Sequence, residues 1–173
     1  THGKYGEGPA KVFLAYAYIQ YEDRLDEGVE LAKTLRKQYP RNFTFIEYFL
    51  RAVRKLPAER ATEGLMWIDT YVKIPNWKEE VILFVPFNLE MVDYVEANLY
   101  LARNDYAAAR NLLEPVSECS HHLDEFTTEV NLALLYVYAK TANHDKARQI
   151  YSYIMNHKSI NNSHSKAKDI FRG

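Results

Sequence analysis

Apolar and small residues recur at steps of three and four along most of this chain, the spacing of helices with a buried face. They do so over Leu14-Ala15-Tyr16-Ala17-Tyr18, and again over Leu25-Asp26-Glu27-Gly28-Val29-Glu30-Leu31-Ala32 and Leu35. Glu22-Asp23-Arg24 interrupts the pattern, which predicts two helices joined by a short turn. Pro40, in Tyr39-Pro40-Arg41-Asn42, closes the second, because proline biases the residue before it away from helical dihedrals.

The arrangement repeats. Val95-Glu96-Ala97-Asn98-Leu99-Tyr100, a turn at Arg103-Asn104-Asp105-Tyr106, and Ala107-Ala108-Ala109-Arg110-Asn111-Leu112-Leu113 form one further copy. Leu134-Leu135-Tyr136-Val137-Tyr138-Ala139, a turn at Ala142-Asn143-His144-Asp145, and Ala147-Arg148-Gln149-Ile150-Tyr151 with Ile154 form another. A fainter copy has Phe45, Ile46, Phe49, Leu50 and Val53 on its first helix. Its second carries Ala61, Leu65, Ile68 and Val72 and stops at Pro75.

Gly28, Ala61, Ala109 and Ala147 mark where each second helix crosses the first, since a larger side chain there would push the pair apart. This helix-pair pattern resembles the tetratricopeptide repeat family over roughly residues 9 to 157. The resemblance implies an all-α fold, a right-handed α-solenoid of about four antiparallel helix pairs. The units would run 9–42, 43–75, 88–119 and 120–157, with a tail or cap at 158–173. The small-residue marks are 33, 48 and 38 positions apart, against a family period of about 34. The long interval holds an inserted segment, 76–87, of which Val81-Ile82-Leu83-Phe84-Val85 is β-branched and aromatic. Pro115 departs from the pattern too, and should shorten or kink the helix it falls in. After Asn156 the polar stretch to Ser165 reads as a loop, with a further helix beginning at Ala167 and leaving Ile170 and Phe171 exposed.

Composition changes this picture little. Six Gly and six Pro are too few for a fold made of tight turns. Twenty-two basic and 23 acidic residues give a net charge of −1 without a basic stripe, which argues against a nucleic-acid partner. Cys119 is the single cysteine, so no internal disulfide forms. The longest apolar run, Val81 to Phe87 with Pro86 inside it, is far too short to span a bilayer. The chain opens on Thr1 without a Met and reads as a piece of a longer protein, soluble and either cytoplasmic or of a bacterial periplasm or envelope.

Candidate chemistry is sparse. There is no Gly-rich phosphate loop, nucleophile elbow or His-Glu-x-x-His, and the expectation is a protein that is not an enzyme and uses no cofactor. His121 and His122 lie close to Cys119, Glu118, Asp124 and Glu125, but adjacent helical residues point to different sides and cannot easily share an ion. No metal site is expected. Ser120 reads as a helix N-cap instead.

The resemblance implies a concave face lined by first helices, here carrying Tyr16, Gln20, Arg54, Tyr94, Asn98, Tyr136 and Lys140. Tyrosines there would stack on a partner peptide or helix, and Asn98 would bond its backbone. Asn98 lacks basic residues on the preceding unit, which argues against a C-terminal carboxylate as ligand. Several of these tyrosines could equally pack as core. Trp77, Val81, Leu83, Phe84 and Phe87 of the insertion are the candidate hydrophobic contact segment, either exposed for contact or buried in the groove. The function expected is a non-catalytic protein-interaction scaffold. Its alternatives are a structural domain that associates with itself, and a regulatory domain taking a small apolar ligand in the groove.

Overall fold

The computed structural model describes residues 4–40, 42, 44–75, 77–78, 89–118 and 124–173, and only the backbone of residues 4–7, 22, 89, 118 and 124. The chain is all-helical: among the described residues there is no strand. It divides into two compact units, Thr1–Val95 and Glu96–Gly173.

In the first unit, α1 (Lys4–Gln20) and α2 (Leu25–Gln38) are joined by a 3-10 turn at Glu22–Arg24. They are antiparallel, because Ile19 meets Gly28 while Gly8 lies near the hydroxyl of Tyr39. A Cβ built on Gly28 would fall 2.8 Å from both the Ile19 backbone nitrogen and its Cγ1, so the approach admits no side chain. Ala15, Ile19, Val29, Ala32 and Leu35 fill the interface with essentially no exposure. The Arg24 guanidinium lies 3.5 Å from the ring centre of Tyr18, pinning the turn across the pair.

Helix α3 (Thr44–Val53) packs on both α1 and α2. Seven of its ten residues are buried, so it is a core helix rather than a half-exposed one. A second 3-10 turn, Ala58–Arg60, leads into α4 (Ala61–Trp67), which continues as a π-helical turn over Ile68–Val72. The Lys73 amide reaches back five residues to the Ile68 carbonyl at 2.9 Å. Wider turns of this kind re-aim side chains. Here the result is Tyr71 stacked on Phe49, with centroids 4.7 Å apart. Buried Arg36 ties α2 to that turn by donating to the Tyr71 carbonyl at 3.2 Å, and it also bonds the Pro40 carbonyl.

Helix α5 (Leu89–Ala102) crosses from the first unit into the second, followed by α6 (Tyr106–Glu118), α7 (Asp124–Lys140), α8 (His144–Asn156) and α9 (Ser163–Arg172). The turns after α5 and α7 are the same device. Asn104 and Ala142 take left-handed φ of 60° and 55°. Asp105 N–H then bonds Tyr100 C=O, and Asn143 N–H bonds Tyr138 C=O, both at 2.9 Å. These are the six-to-one closures of a Schellman ending. Asp105 and Asn143 then cap the following helices, accepting from the amides of Ala108 and Lys146. The two copies stand 38 positions apart (105 to 143), the interval already read between Ala109 and Ala147.

Helix α7 is the centre of the second unit, in contact with α6, α8 and α9. Val130, Leu134, Leu135, Val137 and Tyr138 are all buried on it. Tyr138 donates to Glu114 Oε1 at 2.6 Å and Lys146 donates to the same oxygen at 2.7 Å, so one carboxylate joins α6, α7 and α8.

Four local expectations change. Helix α1 starts at Lys4 and runs through Pro9, so the first unit's helix begins before position 9. Helix α6 continues past Pro115 to Glu118 and is not shortened; the proline sits in its last turn, where one lost bond matters least. The final helix begins at Ser163 rather than Ala167, because Asn161 and Asn162 both adopt left-handed φ and turn the chain early. Buried Ser163 accepts from the Ile160 amide and secures that turn. Phe171 is exposed, as expected, but stacks on Tyr151 at 4.6 Å, and Ile170 is half-buried. Among the described residues, no helix is long and apolar enough to cross a membrane.

Candidate functional site

The polar and aromatic side chains of the first unit gather where α1 lies beside α3. Tyr16, on α1, is 37% exposed, and its ring centre is 5.8 Å from that of Tyr48 on α3. The Arg51 guanidinium sits 5.4 Å from the Tyr16 ring, within cation–π range. Its orientation is fixed by Glu47 one turn earlier, which takes bonds from Nε at 2.8 Å and Nη2 at 2.6 Å. Tyr48 donates to the Val12 carbonyl at 3.3 Å. Burial, then the charge of Glu47, pushes its hydroxyl above the ordinary tyrosine range, so it remains a neutral donor.

Gln20 lies one turn after Tyr16 and ends α1. Its side-chain Nε2 is buried and has no hydrogen-bond partner among the described residues. A buried amide donor left unmet costs about 1–3 kcal/mol, and such atoms in folded proteins ask for a reason. The Gln20 main-chain carbonyl is occupied, accepting from the ammonium of Lys55, two residues past the end of α3. Arg54 lies past the last residue of α3 and is exposed. The basic residues that reach α1 are therefore Arg51 and Lys55. Sequence reasoning had taken Arg54, which shares their side of the helix.

The remaining expected residues lie on α5 and α7. Tyr94 is half-buried in the first unit, and Asn98, one turn later, is exposed in the second. Tyr136 is half-buried, with the Tyr106 ring edge-on at 6.2 Å and the Lys140 ammonium 5.6 Å from its ring centre. Burial and the Tyr136 hydroxyl raise Tyr106 above the ordinary tyrosine range. Tyr136 and Lys140 thus form one contact group with Tyr106, which sequence reasoning had placed in a turn. In the insertion, Trp77 is 8% exposed, with the Lys78 ammonium 5.7 Å from its ring. Val81, Leu83, Phe84 and Phe87 lie outside the described residues, as do Cys119, Ser120, His121 and His122.

Two hollows accompany these groups. One in the first unit, about 390 Å³, is walled by Arg24, Asp26, Glu27, Lys55 and Arg60. Its charges satisfy one another, since Arg60 bonds both Asp26 and Glu63, and Arg24 pairs with Glu27. One in the second unit, about 200 Å³, lies among Thr127, Thr128, Tyr153, Ile154, His157 and Ile160. There the His157 ring is turned onto the Tyr153 carbonyl at 2.7 Å. Among the described residues no three His, Cys, Asp or Glu side chains could hold one metal ion.

Set against protein-family models, curated proteins and solved structures, the chain matches none of them.

Proposed function

We propose that the chain is a non-catalytic protein-interaction module of the tetratricopeptide-repeat kind. In this reading the helix pairs stack as a right-handed solenoid, and the face of the first helices holds a peptide or helix of a partner. The observation that carries it is the α1–α3 face, where the exposed Tyr16 ring is backed by the buried Tyr48 ring and flanked by the oriented Arg51 guanidinium. Tyr16 offers a partner flat apolar area at little entropic cost, and Arg51 a fixed donor beside it. The recurring Schellman turns and the side-chain-free crossing at Gly28 support the repeat reading. Tyr94, Asn98, Tyr136 and Lys140, also on first helices, are further contact points in this scheme.

A displayed random-peptide library panned on the purified chain tests it. Enriched peptides should bind by fluorescence polarisation, and Tyr16→Ala with Arg51→Ala should weaken binding at least tenfold with helical content unchanged. Failure to enrich any peptide, or equal affinity for the double variant, would sink the proposal.

A further inference from the structure

The hollow in the second unit lies where three helices begin or end. Thr127 comes from the start of α7, Tyr153 and Ile154 from the last turn of α8, and Ser163 opens α9. The body of the hollow is apolar. Ile154 is 3% exposed, Ile160 is half-buried, and the Tyr153 ring lies on the His157 ring with centres 4.0 Å apart, making one flat wall.

Donors surround that body. Ser163 is 1% exposed, and its oxygen accepts from the Ile160 amide. Its own hydroxyl proton has no acceptor among the described residues. A hydroxyl buried so deeply is costly until that proton is used, and this one lines the hollow. The Thr127 hydroxyl and the Lys158 ammonium, also on the lining, have no side-chain partner among the described residues either.

The charge is of one sign. Lys158 is cationic, and among the described residues no Asp or Glu lines the hollow. Helix α9 adds to this, because its first turn holds no acidic residue and the Asn162 side chain does not cap it. The positive end of its dipole therefore stands unanswered beside the buried Ser163.

We infer that the hollow binds a small carboxylic acid with an apolar body. The carboxylate takes the protons of Ser163 and Thr127 and the charge of Lys158, while the hydrocarbon part lies against Ile154, Ile160 and the Tyr153 ring. Size agrees with this. A cavity of about 150 Å³ holds benzene, so about 200 Å³ holds a ring or a branched chain together with a carboxylate. A neutral apolar molecule would leave the hydroxyl protons and the ammonium unmet, and an inorganic anion would leave the apolar wall wet. This site belongs to the second unit and does not depend on the peptide reading of the α1–α3 face.

The test is a titration of the whole chain, methyl-labelled at Ile and Thr, with phenylacetate and with isovalerate, followed by NMR. Shifts should converge on Ile154, Ile160 and Thr127, with a Kd of about 1 mM or tighter, the range open to ligands of so few atoms. Acetate has the charge without the body, and phenylacetamide the body without the charge. Each should bind at least about tenfold more weakly. Lys158→Met keeps the stem and should weaken phenylacetate about tenfold while leaving phenylacetamide unchanged. Thr127→Leu fills the hollow and removes a donor, and should abolish binding of both with helical content intact. A blocked peptide ending in Phe carries the same chemistry at a chain terminus. Tighter binding of that peptide would make a chain end the source of the carboxylate, and tighter binding of phenylacetate a free acid. No shift at these methyls with either acid up to about 20 mM would overturn the inference. So would phenylacetamide binding as tightly as phenylacetate, or a Thr127→Leu variant that binds like wild type.

Discussion

Gly28 and Ile19 stand so close that a single methyl group on Gly28 would lie 2.8 Å from the Ile19 backbone nitrogen. A rotamer change cannot clear a backbone atom, so the two helices would have to part. Gly28→Ala should therefore destabilise, even though alanine favours helix over glycine by nearly 1 kcal/mol. Overpacking of this kind costs about 1–3 kcal/mol, a fall in melting temperature of several degrees for a chain of this size. A melt of Gly28→Ala at or above wild type would show that the crossing is looser than described.

Glu114 gives the fold an acid limit. The Lys146 ammonium first, and the Tyr138 hydroxyl second, hold its carboxyl below the ordinary value near 4.5. A carboxylate with a depressed folded value adds stability above its unfolded value and loses it as pH falls through the folded one. Lys146 is half exposed, so solvent screening keeps the contribution small. Denaturant titrations of wild type and Glu114→Gln should differ at neutral pH and converge as the pH falls through the depressed folded value of Glu114. A gap independent of pH would remove the ion pair from the account.

Gln20 should hold the free chain below its best stability. Replacing it by methionine keeps the length and removes the buried donor that has no partner among the described residues, so the chain should gain about 1 kcal/mol. A denaturant midpoint at or below wild type would show that the amide is satisfied.

Pro115 is tolerated rather than required. It lies three residues from the end of α6, and its missing N–H forfeits one helical bond. Pro115→Ala should raise the thermal midpoint by a degree or more. A lower midpoint would mean that α6 depends on a bend there to pack on α7.

The helical character of this chain was plain in the sequence because apolar residues at steps of three and four leave little choice of period. Gly28 was plain for a similar reason, since a glycine inside a strong helical pattern asks for a close contact. The final helix was misplaced by four residues because Asn161, Asn162 and Ser163 have poor helix propensity, and only their left-handed turn and the buried serine make them a helix start. At the candidate site Tyr16 and Gln20 were readable from their phase on α1. Arg51, Lys55, Tyr48 and Tyr106 were not. Periodicity says which side of a helix a residue takes, but the contacts of a long side chain depend on where the neighbouring chain lies. Arg54 illustrates this: it is exposed, while Arg51 before it and Lys55 after it reach α1.

The three-sided packing of α7 has a consequence for how the second unit opens. Its amides are shielded by α6, α8 and α9 at once, so no single neighbour can swing away and bare them. Native-state hydrogen exchange should find them the slowest in Glu96–Gly173, released only when that whole unit comes apart, while the rim amides of α9 exchange by local fraying. A partner bound elsewhere on the unit would then slow α7 most, making that one helix a reporter of occupancy before the partner is known.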